Sequence, residues 1–180
     1  MSITAEQLKQ FPNPVFFETG MGLKGKGIAN ALESGKFTTI HSTELHRRRG
    51  IVVNRRKYRN NPNVIIHHGD SAVLINELIP TIDQPITFWL DAHTPRLAAN
   101  EETCPIFKEL EAIRKLCKHP PTILIDDMDL FSKEDQERIR LEALSVFSFD
   151  EAEVFYLDAH NKHGTVKNNI LVVRMKSQEE

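Results

Sequence analysis

Phe16-Phe17-Glu18-Thr19-Gly20-Met21-Gly22-Leu23-Lys24-Gly25-Lys26-Gly27 decides how this chain reads. A short apolar run ends in an acid, glycines follow at tight spacing, and a helical pattern opens with Ile28, Ala31 and Leu32. That is the order strand, glycine-rich turn, helix. Glycine lets the backbone turn sharply and approach a ligand with no Cβ in the way. The helix that follows offers free N–H groups at its start. Four glycines within residues 20–27 therefore mark a cofactor site.

Working outward, apolar runs and helical patterns alternate along the chain. The runs 15–18, 38–43, 63–68, 86–91, 122–126, 153–158 and 169–175 read as strands, and ITFWLD and TILIDD as strands buried on both faces. Helical stretches fall near 24–34, 45–59, 71–79, 105–117 and 133–146. Thr4 with Gln7 predicts a capping box for a leading helix within residues 1–14, and Ser132 with Asp135 a looser start signal. Alternation implies right-handed crossovers and a parallel sheet. The last two strands are joined only by residues 159–165, too few for a crossover helix, and so form an antiparallel hairpin.

The 180 residues are read as one domain, with 40% hydrophobic and 27% charged residues, ordinary for a globular protein. A formal net charge of −2 gives no global attraction to nucleic acid or to an anionic membrane. No apolar run approaches the ~20 residues of a membrane span. MSITAEQLKQ has no basic region followed by an apolar stretch, so the expected location is the cytoplasm. Cys104 and Cys117 lack zinc-site spacing and are expected to be reduced.

In an open parallel sheet ligands bind beyond the carboxyl ends of the strands. Here nearly every strand ends in an acid: Glu18, Glu44, Asp70, Asp91, Asp126-Asp127 and Asp158. Glu44, 26 residues after Glu18, is placed to accept from both ribose hydroxyls, since an ionised carboxylate only accepts. Asp70 can accept from an adenine amino group or cap the helix from Ser71, whose backbone and that of Ala72 would add contacts. Asp91, with His93 two residues on, carries the reaction hypothesis as general base. Asp91, Asp126 and Asp127 alternatively hold a hard divalent cation such as Mg²⁺, or Asp126-Asp127 caps the following turn.

Two cofactors compete for the glycine turn. Gly20, Gly22 and Gly25 fit the G-x-G-x-x-G count of dinucleotide sites, with Glu44 as the ribose acid. Glu18, however, stands where a pyrophosphate is unwelcome and suits a cationic amino group. An acid, any residue, then alternating glycines resembles the first motif of class I S-adenosylmethionine-dependent methyltransferases. In that pattern the third glycine would fall at position 24, and here it stands at 25. The element order, with its reversed last strand, is similar to the same family over nearly the whole chain. The resemblance implies a Rossmann-like three-layer α/β/α sandwich, with a seven-stranded, mostly parallel sheet whose last strand is antiparallel. It implies S-adenosylmethionine contacts at Glu18, Thr19, Gly20, Met21, Gly22, Gly25, Glu44, Leu45, Asp70, Ser71 and Asp91. The triad Asp91, Asp126 and Asp127 further resembles the metal-dependent macrocin-type O-methyltransferases, in which the position of His93 carries a second acid.

Residues 46–59 hold seven lysines and arginines, read as a solvated helix face rather than a nucleic-acid site. Trp89 is read as core, and His67, His68, His160 and His163 are assigned no function. The aperiodic stretch 93–104 is a candidate substrate lid, with Arg96 for an anion. The acceptor meets that loop, the hairpin, the leading helix or a second subunit of a homo-oligomer. Three functions follow in order: methyl transfer to a small-molecule hydroxyl, a non-catalytic methyltransferase-like binding module, and an NAD(P)-dependent oxidoreductase.

Overall fold

The computed structural model describes residues 3–93, 104–148, 150–161 and 164–176. Residues 94–103 of the proposed lid, with Arg96, and His163 lie outside the described residues. The strands are β1 Val15–Thr19, β2 Thr39–Glu44, β3 Val64–His68, β4 Ile86–Leu90, β5 Thr122–Ile125, β6 Ala152–Asn161 and β7 Gly164–Met175. The helices are α1 Ala5–Leu8, α2 Lys26–Ser34, α3 Val52–Tyr58, α4 Ser71–Leu78, α5 Ile106–Leu116 and α6 Lys133–Leu144, with a wide π-turn over Arg47–Ile51 before α3. The leading capping box is present, with the side chains of Thr4 and Gln7 each taking a backbone N–H.

The sheet order is β3-β2-β1-β4-β5-β7-β6. β3 through β5 are mutually parallel, and β7 is antiparallel to both β5 and β6. The chain leaves β1 toward β2 on one side and returns to β4 on the other, so the topological switch point lies between β1 and β4.

Alternation along the central strands divides two cores. Phe17, Phe88, Leu90, Ile123, Ile125 and Leu171 face Ile75 of α4, Ile113 of α5 and Ile139 of α6. Phe16, Trp89, Leu124 and Val172 face Leu8 of α1, Ile28 and Ala31 of α2, and Ile51. Helices on both faces make a three-layer sandwich, which is why β1, β4 and β5 are buried along their whole length.

The hairpin is tighter than residues 159–165 imply, because β6 and β7 run on to Asn161 and from Gly164. Their register slips between Leu157 and Ala159. Asp158 fills that bulge: Oδ1 accepts from the Asn168 N–H at 3.0 Å, and Oδ2 pairs with Lys167 at 2.7 Å. Asn168 there takes φ 53°. Asp158 is thus a hairpin residue and not a member of the rim of acids, a correction to the strand-end pattern. Trp89, 1% exposed, is core as expected. Trp89→Ala should lower the unfolding free energy by about 3–5 kcal/mol in a denaturant titration.

Candidate functional site

Beyond the carboxyl ends of β1, β2 and β4 lies a cleft of about 380 Å³, lined by Gly20, Gly22, Glu44, Leu45, Asp70, Ser71, Ala72 and Asp91 among others. A second hollow of about 310 Å³ continues past Gly20, Gly22 and Asp91 along residues 21–27, with Glu18 at its base. Ten of the expected cofactor residues therefore line one or both hollows; only Thr19 does not.

The turn is shaped by close approach at defined points. Gly20 has φ +79°, and a Cβ on it would collide with the Asp91 carbonyl and the Ala92 Cα. The N–H groups of Gly20 and Met21 donate to the Thr43 carbonyl, at 3.1 and 3.0 Å. Gly22, at φ +62°, has nothing within 4 Å of its missing Cβ and faces the open cleft. Glycine spacing thus serves packing as much as ligand approach, and of the four turn glycines only at Gly22 would a Cβ meet open space. Met21 is itself 4% exposed and packs in the core of the α1–α3 face.

Glu44, 8% exposed, uses both oxygens: Oε2 accepts from the Gly22 N–H at 2.8 Å, and Oε1 from the His46 N–H at 2.7 Å. Gly50 passes so near that a Cβ would lie 2.7 Å from Glu44 Cγ. Asp70 caps α4 by accepting from the Ala72 N–H at 2.9 Å while its residue lines the cleft. The capping role is thus present together with the cleft position.

Glu18 is 1% exposed; the Ser42 hydroxyl donates to its Oε2, and Gly27 lies against its Oε1 too closely to carry a Cβ. Burial pushes its carboxyl up to about 7, against the pull of the Ser42 hydroxyl. Thr19 is buried, and both its carbonyl and its hydroxyl accept from the Asp91 N–H, at 3.1 and 3.3 Å.

Asp91, Asp126 and Asp127 each offer an oxygen within 4.8 Å of the others. Burial first, then the charges of Asp126, Asp127 and Glu18, hold Asp91 well above the usual carboxylate range. Burial and Asp127 push Asp126 up to about 6. Asp127 has φ 56°, a left-handed conformation uncommon for a residue with a Cβ, at the start of a tight turn over Met128–Leu130. The cluster is a hard-oxygen donor set, of the kind Mg²⁺ takes. His93 is 7% exposed, packs against Phe131 with ring centroids 5.1 Å apart, and lines neither hollow. Burial lowers it to about 4, so the imidazole is neutral near pH 7. His160 is exposed and meets the Thr165 hydroxyl at 3.0 Å.

Three buried polar residues escaped sequence reading. Glu109 is 0% exposed, and neither of its oxygens makes a full hydrogen bond. Burial pushes it up to about 7, against the pull of the Ser71 and Thr19 hydroxyls. Its position was legible: it stands three residues after Ile106 and four before Ile113, on the apolar face of α5. Asn54, in the basic stretch, is 0% exposed, and so is Asn169, whose Oδ1 accepts from the Asp129 N–H at 3.1 Å. No periodicity marks either.

No protein-family profile and no curated protein sequence matches the chain. Solved structures do share its fold. An O-methyltransferase from Bacillus cereus in complex with S-adenosylhomocysteine superposes with a TM-score of 0.67 at 12% identity, over 96% of this chain and 78% of that one. The O-methyltransferase TomG from Streptomyces achromogenes, involved in tomaymycin synthesis and in complex with S-adenosylmethionine, gives 0.63 at 14%, over 96% and 78%. A precorrin 8w decarboxylase from Methanobacterium thermoautotrophicum gives 0.54 at 16%, over 98% and 93%. The chain therefore has the Rossmann-like class I methyltransferase fold that its element order resembles. Among the described residues no helix is long and apolar enough to cross a membrane.

The buried acids set a pH dependence of stability. Glu18 and Glu109 each rise from 4.5 to about 7 on folding, so the folded state keeps protons that the unfolded chain releases. Their stabilisation is complete below pH 4.5 and is lost as pH rises to about 7, each by about 3 kcal/mol. Urea titrations from pH 5 to 8 should show this fall, to which the raised Asp91 and Asp126 add and which the lowered His41 and His93 oppose, and Glu109→Gln should make it shallower.

Proposed function

We propose that the protein is an S-adenosylmethionine-dependent methyltransferase acting on a hydroxyl of a small-molecule acceptor. The observation that carries this reading is a pair of hollows at the β1/β4 switch point that share Gly20, Gly22 and Asp91. One is a cleft with Glu44 and Asp70 on its wall, the other runs along the glycine turn, and Asp91, which borders both, is one of the acid cluster with Asp126 and Asp127. Glu44 has lone pairs free beyond its two backbone bonds, enough to accept from a ribose diol. Asp70 and the backbone of Ser71 and Ala72 face the adenine, with Leu45 against its plane. The turn with Glu18 beneath it receives the cationic amino-acid end.

Methyl transfer is an in-line displacement: the acceptor oxygen bonds to the methyl carbon, the carbon–sulfur bond breaks, and the sulfonium leaves as a neutral thioether. The acceptor proton must go to a base. Asp91 borders both hollows, and its raised carboxyl is a stronger base than an ordinary aspartate. His93, neutral and behind the rim, lines neither hollow, so Asp91 is the favoured base and His93 the alternative. Asp91, Asp126 and Asp127 fit a Mg²⁺ ion, which when bound supplies Lewis-acid activation of the hydroxyl.

The antiparallel β7 and a buried acid under the turn disfavour an NAD(P)-dependent oxidoreductase. A non-catalytic binding module is favoured if the cofactor binds without methyl transfer and changes at Asp91 or His93 alter nothing. Calorimetric titration with S-adenosylmethionine, S-adenosylhomocysteine and NAD⁺ separates the cofactors: the first two should bind and NAD⁺ should not. Glu44→Ala should weaken S-adenosylhomocysteine binding by about 1–3 kcal/mol; unchanged affinity removes the ribose role. Asp91→Asn should keep binding and lose turnover. A chelator should stop turnover and added Mg²⁺ restore it; turnover indifferent to chelator retires the metal.

A further inference from the structure

The glycine turn is gripped from behind by a residue outside the hollows it shapes. Asn54 on α3 is fully buried, and its Nδ2 lies 3.3 Å from the Gly22 carbonyl, 3.2 Å from that of Leu23 and 3.0 Å from that of Gly50. Its Oδ1 rests against Gly25, where a Cβ would be 2.5 Å away, and has no hydrogen-bond partner among the described residues. Reversing the amide would aim the oxygen at three carbonyls, so only one orientation is tenable.

A buried amide with an unsatisfied acceptor is unfavourable to the fold. What it achieves is local. Gly22 is held at both ends, its N–H by the Glu44 carboxylate at 2.8 Å and its carbonyl by Asn54. From the same helix, the Tyr58 hydroxyl donates to the Gly25 carbonyl at 3.4 Å. The Gly22 and Leu23 carbonyls are thereby turned onto Asn54 and away from the cleft. Turned inward, those oxygens would repel a carboxylate.

We propose that Asn54 is a positioning residue, which keeps the turn's carbonyls out of the hollow so that it accepts a ligand bearing an amino-acid carboxylate. The proposal rests on the methyltransferase reading and deepens it: Asn54 selects for the amino-acid end of the cofactor and is indifferent to the nucleoside end. The wide π-turn has a place in this device. It brings Gly50 past Glu44 and sets its carbonyl four residues before Asn54.

The test compares S-adenosylhomocysteine with 5′-methylthioadenosine, which shares its nucleoside and thioether but lacks the carboxylate. Dissociation constants are measured by calorimetry for the wild type, Asn54→Ala and Asn54→Asp, with circular dichroism to establish folding. Each folded variant should bind S-adenosylhomocysteine at least tenfold more weakly, Asn54→Asp most of all, with methylthioadenosine within about twofold of wild type. In turnover the same variants should raise KM for S-adenosylmethionine and leave kcat within a few-fold. Equal losses for both ligands, or no loss, overturn the proposal. If Asn54→Ala does not fold, the isosteric Asn54→Asp decides it; if neither folds, Asn54 is a fold residue and the proposal falls. A wild type that binds neither ligand defeats the methyltransferase reading itself, an outcome distinct from variants that match a binding wild type.

Discussion

The site depends on one close approach. Where β1 ends, Gly20 lies against the backbone of Asp91 and Ala92 at the end of β4, with no room for a Cβ. β1 and β4 are neighbours in the sheet, but the chain departs from them in opposite directions. At most strand ends a loop would fill the space above the sheet. Here the two exits diverge, and the glycine contact keeps them low, so a hollow opens over the central strands. The Asp91 N–H bonding to Thr19 fixes the same junction from the β4 side. Every later feature uses this geometry: the turn leans on β2 through Thr43 and Glu44, and Asp91 is left bordering both halves of the hollow.

Around that junction the acids do double service. Glu44 holds two backbone N–H groups, Asp70 caps α4, and Glu18 takes the Ser42 hydroxyl beneath the turn. Each anchors its own element and also borders the hollow. Burial then raises Glu18, Asp91, Asp126 and Glu109 together, because charges crowded in a low-dielectric rim oppose ionisation. Such a rim is poised to receive positive charge, whether sulfonium, ammonium or metal, since a cation relieves a repulsion that the fold has already built in.

How far the sequence made this legible follows from which residues obey a period. Strand and helix order came from apolar patterning, and the antiparallel end came from a connection too short for a helix. The residues now lining the cleft were found because acids at strand ends share one rim in a parallel sheet. Asp158 broke that rule for a local reason: a bulge gave its carboxylate Lys167 and the Asn168 N–H. Asn54 and Asn169 were invisible because a buried amide leaves no trace in charge or periodicity. Glu109 was overlooked although it sits on the apolar stripe of α5, since a glutamate in a helix is read by habit as solvent-facing.

The glycines carry a sharper lesson about motif reading. Spacing alone could not separate a dinucleotide turn from an adenosylmethionine turn, because the late glycine at 25 satisfied the first and violated the second. Each glycine answers to a different neighbour: Gly20 to the β4 backbone, Gly25 to Asn54, Gly27 to Glu18, and only Gly22 to open space. At Gly25 a left-handed φ of +55° and the approach of Asn54 from α3 both exclude a Cβ. A helix start shifted by one residue needs its glycine shifted by one, with the cleft unchanged. The glycine count therefore reports the packing behind the turn, while Glu44, Asp70 and Asp91 border the hollow in front of it.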